Sequence, residues 1–413
     1  MNKRKQSVII LTVLLVLCLF VFTACNKQNL VNLQDYMANG ENGTGNLNTI
    51  GKLVKIMHEW IGSYGWTVVV FTVALKVVMI PFDIWQRSST KKNSIKMAKI
   101  QPLLENIDKK YGANTQKANE EKQKLYKKQS VSTLSSCLPM IVTMAIFIFM
   151  FGGLNSYATY NNVVNYNDLQ TFYDSQYKQA INDTFVQEQF LLLDANNVCF
   201  ETNQNGEQVP TNAFSSYCVK LASQGNGNDY IGIANYYDTQ VKEDFLWMQS
   251  IWQPDTWDSI MPTYQKFSKT VNIGGDYPET TYNLIRNEVI KTGTRGKSGK
   301  WNGLMILPLL SVGLSFASMY LTQALEKKGK NGQVVAQNDQ QAQSNKMMMF
   351  MMPAMMAIFG FMYTGAFAVY MVCNYTLSIL LSVVLKKPID KMVEKQIAKE
   401  ELKEGTSKAT YKR

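Results

Sequence analysis

Two stretches of this chain, Leu134–Leu154 and Gly303–Leu325, run without a single charged residue. At about 1.5 Å per helical residue, each is long enough to cross a hydrocarbon layer of about 30 Å. This constrains the fold strongly. Backbone in hydrocarbon must satisfy its own hydrogen bonds, and only helices or closed barrels do so. Three further apolar blocks accompany them: Gly65–Trp85, with Lys76 near its middle, the shorter Met347–Met362, and Ala366–Leu385. The last two are separated only by Tyr363-Thr364-Gly365, which reads as a tight hairpin. The expected fold is an all-α polytopic membrane protein whose five transmembrane helices cover 62–85, 131–154, 301–325, 347–363 and 364–385.

Charge sets the orientation. The formal net charge of +11 suggests an anionic partner, nucleic acid or a membrane. Summed by segment, it reads as topology. Residues 86–130 carry a net +8, the loop 326–346 a net +2 and the tail 386–413 a net +4, whereas 155–300 carries a net −6. Basic stretches fall on alternate sides of successive spans, as the positive-inside rule requires. The N-terminus is expected outside and the C-terminus in the cytoplasm.

The head of the chain, Lys3-Arg4-Lys5 followed by the apolar run Val8–Phe22, fits a signal peptide over 1–24. An uncleaved anchor helix is the other reading. Phe22-Thr23-Ala24-Cys25 resembles a bacterial lipobox, which would make Cys25 a lipidated N-terminus attached to an external segment, 25–61, with an amphipathic helix. On the cytoplasmic side, Ile100, Leu103, Leu104, Ile107 and Tyr111 lie at helical spacing, with Pro102 kinking or restarting the helix. After the turn signal Gly112-Ala113-Asn114 comes a Lys-, Gln- and Glu-rich stretch. Segment 86–130 therefore reads as a helical hairpin; a basic loop lying on anionic lipid is the alternative.

Lys76 carries the most information. An intramembrane charge costs several kcal/mol and usually faces a bundle interior or a water-filled cavity. Asp83 is seven residues on, on the same face, a distant partner if a cavity hydrates both. Thr72, Thr143, Ser311, Ser315, Ser318, Thr322 and Asn374 could line such a cavity, although each alone also suits helix packing. Methionines crowd the fourth span, among them Met348, Met352 and Met355. Their flexible thioethers suit varied apolar partners and equally suit ordinary packing.

These features together resemble the YidC/Oxa/Alb membrane-protein insertases. The resemblance rests on Gly65-Trp66 opening a span through Leu75-Lys76-Val77 to Ile80-Pro81, and on Lys99-Ile100-Gln101-Pro102 to Lys110-Tyr111. Cys137-Leu138-Pro139-Met140, Lys346-Met347-Met348 through Pro353, and Gly365 to Tyr370 with Asn374 complete it. It covers 51–155, 301–325 and 345–390. It implies insertion of newly made membrane proteins through a hydrated groove, closed outside, whose basic residue attracts polar or acidic client segments. Lys76 takes that position where many members have Arg, so the charge is kept and the bidentate fork is lost. Thr143 stands where many have Gln and Ala145 where many have Pro. Tyr370 and Asn374 join the groove lining. The implied partners are nascent membrane proteins, the ribosome, the Sec translocon and membrane lipid, with no specific nucleic-acid sequence.

The segment 155–300 departs from that pattern and is large enough for an external domain of its own, with no fold assigned. Cys199 and Cys218 leave a disulfide and two free thiols both open. His58 is the only histidine, which excludes a multi-His metal centre, and no nucleophile motif occurs. No enzyme, cofactor or metal is expected. A small-solute transporter could also use an intramembrane lysine, but no inverted repeat or broken-helix pair supports it. An extracellular binding lipoprotein would explain Cys25 and 155–300 but not five spans. The topology predicts that trypsin added to right-side-out vesicles spares the Lys91–Lys128 region and cleaves it only when the cytoplasmic face is open. Cleavage from outside refutes the orientation.

Overall fold

The computed structural model describes residues 31–32, 47–111, 115–128, 138–193, 195–225, 230–272, 279–291, 301–327, 358 and 360–410. The signal segment, Cys25, the loop 328–346 and nearly all of the fourth apolar block lie outside them. The described chain is mostly helical. α1 is Thr49–Ile61, α2 Tyr64–Tyr111, α3 Thr115–Lys128 and α4 Leu138–Asn182. α5 is Thr184–Leu193, α6 Asn212–Gln224, and α7 Ile233–Tyr236 runs into a π turn, Tyr237–Val241. α8 is Tyr264–Thr270, α9 Glu279–Lys291, α10 Ile306–Lys327 and α11 Gly365–Thr410.

Among the described residues two helices are long and apolar enough to cross a membrane, Tyr64–Tyr111 and Gly365–Glu400. Ile306–Thr322 is a shorter apolar helix. α2 and α11 continue beyond their apolar stretches into polar sequence without a break. α2 passes through Pro81 and Pro102, and α11 through Pro388. Each proline removes one i→i−4 hydrogen bond, and the neighbouring turns carry the helix on. α4 similarly runs past the apolar block that ends at Leu154 to Asn182.

α2 packs against α11, and α11 against α10. At their basic ends Lys91 pairs with Asp390, and Glu400 receives both Lys92 and Lys96, the latter at 3.1 Å. Burial alone would raise the Glu400 carboxyl, but the two lysines hold it below the usual carboxylate range. α3 folds back on α2 through Ile100, Leu104, Met97, Leu125 and Tyr126, so the expected hairpin has a small apolar core. Leu103, counted in the same stripe, is exposed.

The insertion, the described part of 155–300, is built around the part of α4 beyond Leu154. One core collects Val163, Tyr166 and Leu169 with Ile233, Ile260, Phe267, Tyr282 and Ile285. A second joins Ala180 and the α5 residues Val186 and Phe190 to Phe214, Cys218 and Leu221 of α6. An antiparallel pair, β2 (Phe200–Thr202) with β3 (Gln208–Pro210), precedes α6. A parallel pair brings β1 (Val31–Asn32) onto β4 (Val271–Asn272).

The insertion also clamps the starts of the apolar helices. Helix N-termini leave N–H groups without intrahelical acceptors. Glu243 accepts from the Tyr64 N–H at the start of α2. Asp255, fully buried, accepts from Leu304 N–H and Leu307 N–H at 2.8 Å each, ahead of and within the first turn of α10. It also takes the Trp247 indole N–H at 3.0 Å. Gln253 O and Ile251 O accept from Gly365 N–H and Ala366 N–H at the start of α11. Two glycines allow this close approach: a Cβ on Gly65 would enter the Phe245 ring, and one on Gly365 would meet the Met248 sulfur. Asp255→Ala should leave three donors unpaired, one buried and two partly buried, and cost on the order of 3 kcal/mol. A lowered melting temperature of the detergent-solubilised chain checks this, with Asp255→Asn losing less because it keeps one oxygen acceptor.

Candidate functional site

Lys76 projects from α2 three turns below Tyr64, near the middle of the apolar stretch. Its Nζ lies 3.2 Å from Asp83 Oδ2, both side chains mostly shielded at 15% and 16% exposure. The expectation of a distant partner is thus corrected. Asp83 is in direct ionic contact, because the long lysine stem reaches along the two intervening turns of one helix face. Pro81 between them leaves the Val77 carbonyl without its usual helical donor.

Burial along the helices changes at this level. On α2, Tyr64, Gly65, Thr67, Val68, Phe71 and Thr72 are buried, and then no residue is until Ser88. On α11, Gly365 to Met371 are buried and the next buried residue is Ser382. On α10, Leu307, Ser311 and Ser315 are buried and, among the described residues, none beyond Ser315. The buried ends form one core with Phe147, Met150 and Leu154 of α4 and Met248, Ile251 and Trp252 of the insertion. His58 joins this end of the molecule, bonded to the Tyr157 hydroxyl at 2.6 Å and 3.3 Å from Glu243.

The residues expected around Lys76 divide by this boundary. Thr72 is buried and donates to Val68 O at 2.6 Å. Tyr370 is buried in the core beside Phe367. Ser315, Ser318 and Thr322 share one face of α10 with Ser311 at i, i+4, i+7 and i+11. Ser315 and Thr322 return their hydroxyl protons to Val312 O and Ser318 O. Asn374 is half-buried on α11 and accepts the Ser378 hydroxyl at 2.7 Å. Thr143 is within α4, but its side chain is outside the described residues, as are Met348, Met352, Met355 and Cys25.

A family model described as "60Kd inner membrane protein" matches residues 56–222 and 230–393, most of the chain. The chain belongs to the YidC/Oxa/Alb family. It is 37% identical over 112 residues to a membrane protein insertase YidC of Caldanaerobacter subterraneus subsp. tengcongensis, covering 27% of this chain and 52% of that protein. It is 32% identical over 104 residues to the one of Fusobacterium nucleatum subsp. nucleatum, covering 25% and 49%. Against that of Bordetella avium it is 31% identical over 99 residues, covering 24% and 17%. The chain thus spans about half the length of these relatives, or less. Family membership and the apolar helices make it a membrane protein. Among the described residues no group of His, Cys, Asp or Glu could hold a metal.

Sequence reading missed six residues of this arrangement. Arg87 and Lys91 continue the Lys76–Asp83 face of α2. Ser378 and Ser382 continue the Asn374 row of α11 at i+4 spacing, which was a readable signal. Arg87 donates to Ser382 Oγ at 2.7 Å. Glu243 and Asp255 carried no local signal, since their partners lie far along the chain.

In the insertion, Cys199 and Cys218 are buried free thiols of one core. Burial, helped by its neighbour Cys199, pushes the Cys218 thiol up to about 12. A thiol raised in the fold stabilises below its unfolded value and loses that contribution as pH rises towards the folded value. The unfolding midpoint of the full chain should therefore fall between about pH 9 and pH 12, and part of that fall should vanish in Cys218→Val. Below pH 9 a maleimide should label Cys218 only after denaturant is added.

Proposed function

We propose that this chain is an insertase that carries newly made membrane proteins from the cytoplasm into the cytoplasmic membrane, unaided or beside the Sec translocon. One observation carries the reading. Lys76 stands just below a packed seal and at the head of half-exposed helix faces that lead to the basic side. Family membership supplies the chemistry to which that arrangement is suited.

The mechanism follows from solvation. A polar client segment in hydrocarbon loses its water at high cost. A hydrated groove over Lys76, the Ser315, Ser318 and Thr322 face and Asn374 shortens the dry path. The packed outer core closes it, and the insertion holds the closure. An acidic client segment exchanges with Asp83 for Lys76, so that the lysine is never left alone in low dielectric. Apolar client residues then leave sideways into lipid, driven by burial of apolar area. Met348, Met352 and Met355 are proposed to meet those residues. Cys25 is proposed as the lipid anchor, the N-terminus lies outside, and the helical hairpin and basic tail meet the ribosome or the client.

In cells depleted of the native protein, Lys76→Arg should restore client insertion, and Lys76→Glu should lower it by about tenfold or more. Asp83→Asn should strengthen crosslinking from position 76 to clients with acidic external segments. Equal rescue by Lys76→Arg and Lys76→Glu overturns the groove mechanism.

A further inference from the structure

A second polar site lies at the basic end of the same helices. Arg87 and Lys91 of α2, Thr322 of α10, and Ser382, Lys386 and Asp390 of α11 surround a cleft of about 40 Å³. Its charges do not cancel. Lys91 is paired with Asp390. Arg87 spends one N–H on Ser382 Oγ, and a guanidinium has five. Lys386 is half-buried and makes no ion pair among the described residues. Ser382 and Thr322 give their hydroxyl protons to Ser378 O and Ser318 O, so the cleft's free donors belong to the cations.

Depth selects the ligand. Arg87 lies about 34 Å along α2 from Tyr64, and Lys386 about 32 Å along α11 from Gly365. A hydrocarbon layer of about 30 Å places both cations at the headgroup level of the basic side. Basic pockets between helices at that level suit anionic headgroups. We propose that this cleft binds a phosphate group, presented by an anionic phospholipid of that leaflet and held by Arg87 and Lys386. The bound lipid tethers α2, α10 and α11 at the open end of the half-exposed region, opposite the clamp at their starts. This rests on the reading of α2 and α11 as membrane spans.

Full-length protein in detergent, with no client present, is titrated with phosphatidylglycerol or phosphatidylcholine, and retained lipid is counted by native mass spectrometry. Wild type should retain several-fold more phosphatidylglycerol. Lys386→Gln and Arg87→Gln should each bring retention down to the phosphatidylcholine level, while Lys395→Gln, exposed on the same helix, should leave it unchanged. Should Arg87→Gln misfold, Lys386→Gln carries the test, since it breaks no described ion pair. Inorganic phosphate is the third arm. If millimolar phosphate fails to displace the lipid, the lipid is the source. If it displaces the lipid from wild type, the phosphate site stands with free phosphate as an equal ligand. Equal retention by Lys386→Gln and wild type, or an equal loss in Lys395→Gln, overturns the proposal. Because no client is used, its failure is distinct from failure of the insertase reading, which Lys76 variants test.

Discussion

Helix starts in an apolar setting have donors that water cannot serve, and three such starts meet in this molecule. Residues 243–255 of the insertion supply the acceptors: Glu243 for α2, Asp255 for α10, and the Ile251 and Gln253 carbonyls for α11. Asn302 fastens the same segment from the other side, donating to Ser250 O and Pro254 O at 2.8 Å. The rest of the arrangement depends on this. The helix ends can be packed and dry only because their polar groups are paired. The tight approach of α10 carries Met305 at φ +62°, a left-handed backbone that glycine usually supplies. Aromatic packing completes the seal, with Tyr64 stacked on Trp252 at 4.3 Å between ring centroids.

Below that seal the physics changes from packing to charge. An ammonium in low dielectric needs water or a counter-ion. Lys76 has Asp83 two turns along its own helix. The pair is close to neutral as a unit, which makes it tolerable in a shielded setting. The hydroxyl rows of α10 and α11 fit the same logic. Their protons satisfy backbone carbonyls of their own helices, and their oxygens remain as acceptors. The polar face then continues to Arg87 and Lys91.

Much of this was legible one element at a time. Apolar block length located α2, α10 and α11, and the 3.6-residue spacing of Ile100 and Leu104 located the hairpin core. Lys76 stood out because a charge in such a block is costly. Helix ends were harder to read. Breaks seemed natural at Pro102 and where the apolar blocks end, yet α2 and α11 run on because their polar halves pack on each other through Lys91, Lys92, Lys96, Asp390 and Glu400. Tyr370 and Thr72 read as groove residues, and the structure places both in the packed core.

The sequence by itself determined the family, the helical class and the one lysine in the middle of an apolar block. Those properties reside in hydropathy, spacing and local motifs, which need no knowledge of distant neighbours. Only the tertiary structure decided that the acidic insertion caps the apolar helices, that Asp83 touches Lys76, and that Arg87 and Lys386 share a cleft. Each depends on where side chains on separate turns or helices converge. Capping by Asp255 joins residues about fifty positions apart, and Arg87 meets Ser382 from nearly three hundred positions away. No periodicity encodes a pairing of that range. It is set by which buried donors remain unpaired once the helices have packed.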